Sequence, residues 1–181
     1  MRLSGRVWKF GDDLGATDLV SAAYDKFGMS RQWAECAKHV LEDVDPDFPS
    51  KVQKGDIVIA GQNLGIGHAH YYTAAIMGAH TAGLSALFAE SVGGLFQRAA
   101  IDLGVPIWPL PGISELADTG EQIEIDLATG EGRNLTTGKT IAFKPVSPII
   151  LDILDAGGST NWALRRIGRG DDCDGRTVAA E

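Results

Sequence analysis

Cysteine is scarce in this chain, which carries only Cys36 and Cys173 among its 181 residues. Two thiols far apart in sequence do not make a disulfide framework, and an iron–sulfur cluster usually takes three or four cysteine ligands. We therefore expect no cofactor and no metal site in the chain. The low cysteine content also fits a reducing, cytoplasmic location.

Long apolar runs and an excess of positive charge are absent as well. No stretch approaches the roughly 18 apolar residues of a membrane span, and residues 1–6 lack the apolar segment of a signal peptide. The formal net charge is −8, so the overall field repels nucleic acid and anionic membranes. We expect neither as a partner. An anionic substrate would need local positive charge or backbone N–H groups.

The middle of the chain has the alternation that is typical of an α/β protein. Short apolar runs at 57–60, 84–89 and 105–108 predict buried strands. Between them, residues 68–79 and 95–103 have the composition of helices. Strand, helix, strand, helix, strand predicts a parallel α/β unit with right-handed crossovers.

The flanking segments predict further elements. Before the parallel unit we expect a strand at 6–10, a helical turn at 17–24 and a helix at 30–42. After Pro111, polar and apolar residues alternate at 122–127, 133–135 and 139–143, which predicts an antiparallel hairpin region.

The end of the chain has two predicted parts. Helices are expected at 148–156 and 159–167, the second capped by Ser159. The polar, glycine-rich residues 168–181 are predicted to form a tail outside a domain that spans 1–167.

Five segments carry a resemblance to one protein family. A glycine-rich loop alone is weak evidence, but these segments follow one another in the family's order. They are Gly5–Asp18, Ala37–Pro49, Lys54–Gly67, Gly120–Pro145 and Ile150–Gly158. Within a match that spans about residues 5 to 167, they resemble the small subunits of 3-isopropylmalate dehydratase, homoaconitase and 2,3-dimethylmalate dehydratase.

The resemblance implies both a fold and an activity. The fold would be an aconitase-like swivelling domain with β/β/α layers. The activity would be that of a hydro-lyase subunit in leucine biosynthesis, which dehydrates or hydrates a small hydroxy di- or tricarboxylic acid such as 3-isopropylmalate. The partner would be a large subunit that carries a [4Fe-4S] cluster, and the isolated chain could form a homo-oligomer.

The loop after the strand at 57–60 departs from the family. The family reads Gly-x-Gly-Ser-Ser-Arg-Glu-His-Ala there, where the first serine takes the proton next to a carboxylate and the arginine binds a substrate carboxylate. In this chain His68 stands in the place of that serine and His70 in the place of that arginine. We therefore expect His68 and His70 to be the catalytic residues, with His68 as a general base.

Substrate contacts are expected from the same loop and from two arginines. Gly67 and Ala69 offer backbone N–H groups at a helix N-terminus, which favours an anion, and Tyr71 offers a hydroxyl. Arg98 either faces the substrate or pairs with acidic residues. Arg31 lies near the segment that sets substrate preference in the family.

Other interpretations of the chain remain open. Having lost the serine and the arginine, it could be a non-catalytic carboxylate-binding or regulatory module, or a dehydratase of a divergent substrate. Among the remaining histidines, we expect His39 to be a solvated helix residue and His80 to be structural.

Overall fold

A computed structural model describes residues 1–168, and a mixed seven-stranded sheet organises them. The strands are β1 (Arg2–Lys9), β2 (Ile57–Ala60), β3 (Ala86–Ala89), β4 (Ile107–Pro109), β5 (Gln122–Asp126), β6 (Glu131–Asn134) and β7 (Thr140–Ala142). Their order across the sheet is β4-β3-β2-β1-β5-β6-β7. The predicted tail at 168–181 lies, apart from Gly168, outside the described residues, so its boundary stays a prediction.

Strand β1 belongs to both halves of the sheet. Its second part, from Val7 to Lys9, runs parallel to β2, and β3 and β4 continue this parallel half. Its first part, from Arg2 to Arg6, runs antiparallel to β5, and β6 and β7 follow. The predicted parallel α/β unit and the predicted antiparallel hairpin region are both confirmed.

The helices are mostly short. They are α1 (Ala16–Leu19), α2 (Asp25–Met29), α3 (Trp33–Ala37), α4 (Phe48–Lys51), α5 (Tyr72–Thr81), α6 (Gly94–Asp102), α7 (Ile113–Leu116), α8 (Pro148–Asp155) and α9 (Ser159–Arg166). Single 3₁₀ turns, Ala22–Tyr24 and Ala69–Tyr71, precede α2 and α5. None of the helices in the described part is long and apolar enough to cross a membrane.

Two apolar cores lie on opposite faces of the parallel strands. Successive side chains of a strand point to opposite faces, so Val58 of β2 packs in the core that contains the helices. Its neighbours Ile57 and Ile59 pack in a second core, which includes Ile123 and Ile125 of β5. The antiparallel half therefore curls over the face opposite helices α1 to α6, and α7 also packs on that face. This arrangement gives the β/β/α layers that the resemblance implies.

The predicted helix at 30–42 is wrong in its extent. The helix α3 ends at Ala37, and Val40 forms an antiparallel bridge with Val20. Leu41 has a φ of 58° and donates its N–H to the carbonyl of Leu19 at 2.9 Å. Tertiary pairing of this segment therefore replaces the helical hydrogen bonds that the apolar spacing favours.

Smaller differences concern caps and short elements. The predicted cap Ser159 lies inside α9, whose N-cap is Gly158, and its hydroxyl donates to Asp102 instead. The four-residue helix α7 was not predicted, because a single turn is too short to show a helical period.

Asp56 is a buried carboxylate at the start of β2, with 3% of its surface exposed. It accepts hydrogen bonds from Arg6 Nη2 at 2.7 Å, from Trp8 Nε1 at 2.8 Å and from the Gln53 N–H at 2.9 Å. Burial opposes its ionisation, but the hydrogen bonds from Arg6, Trp8 and Gln53 prevail and lower the pKa of Asp56. In its charged form, the Asp56 carboxylate therefore links β1 to the start of β2.

We expect Asp56→Asn to lower the free energy of unfolding by about 2 kcal/mol near pH 7, because a partly buried ion pair loses its charge. The pKa of Asp56 is lower in the folded chain than in the unfolded chain. The stabilisation is therefore fully present above the usual value of 3.8 and is lost as the pH falls through the lower, folded value. Urea titrations followed by tryptophan fluorescence, at about pH 7 and about pH 3, measure the difference, which should shrink in acid.

Asp118→Asn is the matched control, since this carboxylate contacts Lys9 Nζ at 2.7 Å while 76% of its side chain is exposed. Exposed pairs contribute little to stability, so this variant should unfold as the wild type does. An equal loss of stability in both variants would contradict a special role for Asp56.

Candidate functional site

Four loops meet at the carboxyl edge of the parallel strands. They begin after β1 at Phe10, after β2 at Gly61, after β3 at Glu90 and after β4 at Leu110. In open parallel sheets this edge is where ligands usually bind. It is also the edge that carries the loop with the predicted catalytic residues.

The loop at residues 61–67 is held on both sides by backbone hydrogen bonds. Gly65 donates its N–H to the carbonyl of Leu14 at 2.8 Å, in the loop after β1. Leu64 donates to the carbonyl of Ser91 at 3.0 Å, in the loop after β3. These bonds do not depend on side chains, so the course of the loop is fixed whatever residues follow it.

Residues of the first three loops form a polar cluster that sequence reasoning missed. The Asn63 amide donates to Asp13 Oδ1 at 2.8 Å, and the Asn63 N–H donates to the hydroxyl of Ser91 at 2.8 Å. Asp13 and Asn63 have φ values of 60° and 64°, a conformation that asparagine and aspartate tolerate better than most residues. The adjacent acids at 12 and 13 were the only signal in the sequence.

Two glycines of this loop, Gly65 and Gly67, serve different purposes. Gly65 has a φ of 76°, and a Cβ there would lie 2.1 Å from Cδ1 of Phe96. Gly67 has a φ of 117°, but a Cβ there would meet nothing within 4 Å. Gly65 is therefore required for packing against α6, whereas Gly67 is required only for backbone conformation.

The predicted loop residues lie together at the start of α5. His68 is the N-cap of the 3₁₀ turn, and its side chain makes no capping hydrogen bond. The ring centroids of His68 and His70 are 5.7 Å apart, and those of His70 and Tyr71 are 4.0 Å apart. Both imidazoles are exposed, and Tyr71 is half-buried. The structure thus groups these three side chains on the surface of the carboxyl edge.

Tyr72 supports the loop through a packed ring and one hydrogen bond. It is 8% exposed, its ring meets Phe96 edge-on at a centroid distance of 5.2 Å, and its hydroxyl donates to the carbonyl of Gly67 at 3.0 Å. This hydrogen bond uses the one polar atom of a packed aromatic side chain, so Tyr72 positions the residue before His68.

Unpaired backbone donors also lie at this place. Within the described residues, the N–H groups of Gly67, His68 and Ala69 donate to no acceptor. Free N–H groups at a helix N-terminus, together with the helix dipole, favour an anion. The geometry is therefore compatible with the predicted roles of Gly67 and Ala69.

The two arginines predicted to bind substrate make no hydrogen bond or ion pair with the loop at residues 61–67. Arg98 is exposed on α6 and forms no ion pair with any residue between 1 and 168, so the alternative of pairing with acids finds no support there. Arg31, with a φ of 55°, follows α2. That helix packs on α5 so closely that a Cβ on Gly28 would lie 2.6 Å from Cβ of Ala74. Arg31 therefore lies on the segment beside α5.

The other two histidines take no part in this site. His39 is not a solvated helix residue as predicted, because it follows α3 in a turn, stacks on Tyr24 and bonds Glu42. His80 is exposed at the last turn of α5, far along the helix from His70. Between residues 1 and 168, no group of three or more histidine, cysteine, aspartate or glutamate side chains is placed to hold a metal ion.

Glu90 ties the loops after β3 and β4 together. Its carboxylate accepts hydrogen bonds from the N–H of Gly112 at 2.7 Å, from the N–H of Ser114 at 2.8 Å and from the Ser114 hydroxyl. Burial opposes ionisation of Glu90, but the hydrogen bonds from Ser114 and Gly112 lower its pKa. A charged side chain therefore orders this edge without being part of the exposed cluster.

Comparison with curated proteins finds close relatives along nearly the whole chain. The chain is 37% identical over 171 residues to the 3-isopropylmalate dehydratase small subunit of Thermodesulfovibrio yellowstonii, covering 94% of this chain and 99% of the relative. It is 41% identical over 160 residues to a 3-isopropylmalate dehydratase small subunit of Thermotoga maritima, covering 88% and 93%. It is 38% identical over 165 residues to the isopropylmalate/citramalate isomerase small subunit of Methanocaldococcus jannaschii, covering 91% and 95%.

A solved structure agrees with these relatives. The crystal structure of a 3-isopropylmalate dehydratase protein from Methanocaldococcus jannaschii superposes with a TM-score of 0.82 at 29% identity, covering 95% of this chain and 99% of that one. No family model matches the chain. The α/β fold expected from the sequence is thereby confirmed.

We expect Gly65→Ala to be strongly destabilising, because the new methyl group would overlap the Phe96 ring and the residue would keep a positive φ. Gly67→Ala should be milder, since it meets open space and strains only the backbone. Thermal unfolding of the two variants checks the order of the effects. Gly94→Ala, in open space at the start of α6, is the control and should unfold at or above the wild-type temperature.

Proposed function

This chain belongs to the family of 3-isopropylmalate dehydratase small subunits, and we propose that His68 serves as its catalytic base. The chain is therefore a subunit of a hydro-lyase that acts on malate derivatives. The observation that supports the proposal is the exposed imidazole of His68 at the start of α5, on a loop whose course is fixed by backbone hydrogen bonds.

The reaction needs a base and a place for a carboxylate. Dehydration of a hydroxy acid removes a proton next to a carboxylate and a hydroxyl group from the neighbouring carbon. An imidazole is a suitable proton acceptor near neutral pH. In our proposal His68 takes that proton, and in the reverse, hydrating direction it returns the proton to the same carbon.

The carboxylate is proposed to bind beside His68. The free N–H groups of Gly67, His68 and Ala69 would donate hydrogen bonds to one of its oxygens, and His70 and Tyr71 lie next to them. A histidine holds a carboxylate less firmly than a bidentate arginine. Arg31 and Arg98 remain candidates for a second carboxylate, which the substrates of this reaction class carry.

A small subunit has a large-subunit partner, and we propose that this partner carries a [4Fe-4S] cluster. The thiols of this chain do not fit a cluster, because Cys36 is buried without another cysteine among the described residues and Cys173 lies outside them. The iron of such a cluster would supply a Lewis acid for the leaving hydroxyl group. We also propose a cytoplasmic location and a place in leucine biosynthesis, as expected for this reaction.

The replacement of the family's serine and arginine leaves a second candidate, a dehydratase of a divergent substrate within the same reaction class. In that alternative, the loop binds and deprotonates a malate derivative other than 3-isopropylmalate. If the reconstituted protein binds carboxylates but turns over none of them, the chain is a binding module. A stable homo-oligomer that does not bind the large subunit would also indicate a binding module.

We expect His68→Ala to reduce hydro-lyase activity by about 10²- to 10⁴-fold, the usual contribution of a general base. The chain is expressed with its large subunit and assayed on a panel of malate derivatives. His80→Ala is the matched control, because that histidine is exposed at the far end of α5, and it should keep wild-type activity. If His68→Ala keeps full activity, His68 is not the base, although the family assignment stands.

A further inference from the structure

Residues 21–39 form a segment whose two ends lie next to each other. Val20 and Val40 pair as an antiparallel bridge, and the Leu41 N–H donates to the carbonyl of Leu19 at 2.9 Å. We call residues 21–39 the flap. It contains α2 and α3 and is closed at its base by this short pairing.

Three polar side chains meet next to the base of the flap. The rings of Tyr24 and His39 stack with their centroids 3.6 Å apart and their planes 11° apart. His39 Nδ1 lies 2.7 Å from Oε2 of Glu42, and the two side chains are 27% and 26% exposed. We call Tyr24, His39 and Glu42 the clasp. It joins the start of the flap to its end.

The electrostatics of the clasp agree with this geometry. Proximity to the Glu42 carboxylate, with burial and the charge of Asp43, raises the pKa of Tyr24. Burial opposes ionisation of Glu42, but Tyr24 and His39 beside it prevail and lower its pKa. The bond of His39 to Glu42 and the stack of His39 on Tyr24 therefore hold the clasp together.

The flap packs against the helix that begins at the candidate site. A Cβ on Gly28 would lie 2.6 Å from Cβ of Ala74, and one on Gly78 would lie 3.2 Å from Cβ of Cys36. The helices α2 and α3 thus lie directly on α5, whose first turn follows His70 and Tyr71. The tip of the flap carries Met29, which is 74% exposed, and the left-handed residue Arg31.

We propose that Tyr24, His39 and Glu42 are positioning residues that fix the flap and thereby place Met29 and Arg31 beside the substrate site. None of the three touches the reacting atoms, and the inference rests on the proposed function. A partly exposed hydrogen-bonded pair stabilises a fold only weakly, so the main effect of the clasp is on the geometry of the flap. Loss of the clasp should therefore leave the chain folded.

The first test uses the chain assembled with its large subunit. His39→Ala should raise KM for the best hydroxy acid of the panel by about fivefold, while kcat stays within about twofold, because the flap orients substrate without taking part in proton transfer. In His39→Asn the amide nitrogen can take the place of Nδ1 and donate to Glu42. This variant should bring KM back to within about twofold of the wild type.

The second test uses hydrogen exchange of the full chain without the large subunit. His39→Ala should speed exchange of amides in residues 21–39 by roughly tenfold and leave those of β2 and β3 unchanged. His80→Ala, the control in both tests, should change neither KM nor exchange. Unchanged exchange in His39→Ala would show that the clasp does not hold the flap.

Failure of the proposed function and failure of the positioning role give different results. A wild-type assembly that is inactive on the whole panel overturns the proposed function and, with it, the positioning role, while exchange still reports on the clasp. An active wild type whose KM is the same in His39→Ala overturns the positioning role alone. A KM that rises in His39→Ala and stays high in His39→Asn would mean that the stack of the His39 ring on Tyr24, rather than the bond to Glu42, fixes the flap, which overturns the positioning role of Glu42.

Discussion

The carboxylate of Asp56 lies where β1 changes partners, and the rest of the structure depends on that change. Arg6 is the last residue of β1 to pair with β5, and Val7 is the first to pair with β2. Asp56 binds the Arg6 guanidinium and the Trp8 indole on either side of this point. A slip of one residue would turn every side chain of the strand to the opposite face, so both apolar cores require this register.

The same register builds the candidate site. Because β1 and β2 are parallel neighbours, the loops after them lie side by side at the carboxyl edge, where Gly65 bonds to Leu14 and Asn63 bonds to Asp13. These contacts use backbone atoms and residues outside positions 68 and 70. The frame is therefore independent of the groups that project from it, which is compatible with the expected replacement of the family's serine and arginine by His68 and His70.

Sequence reasoning succeeded where local pattern and tertiary structure agree. The apolar run at 57–60 forms a strand that is buried on both faces. The alternating residues at 122–127 form a strand that buries one face. It failed at Leu41, where a bridge between distant residues overrides helical spacing, and at His39, whose partners Tyr24 and Glu42 depend on that bridge. The pairing of Asp13 with Asn63 could not be predicted either, since 50 residues separate them.

His68 and His70 are exposed, which is expected of a chain that supplies only one side of a site between two subunits. An imidazole in open water competes with solvent for every proton and every carboxylate, and a catalytic group gains strength when water is excluded. Residues 1–168 offer no wall above the two rings, and the net charge of −8 opposes an anionic substrate at long range. The free N–H groups at residues 67–69 act only at short range. The site therefore needs a second surface that closes over the loop, and in our proposal the large-subunit partner supplies that surface.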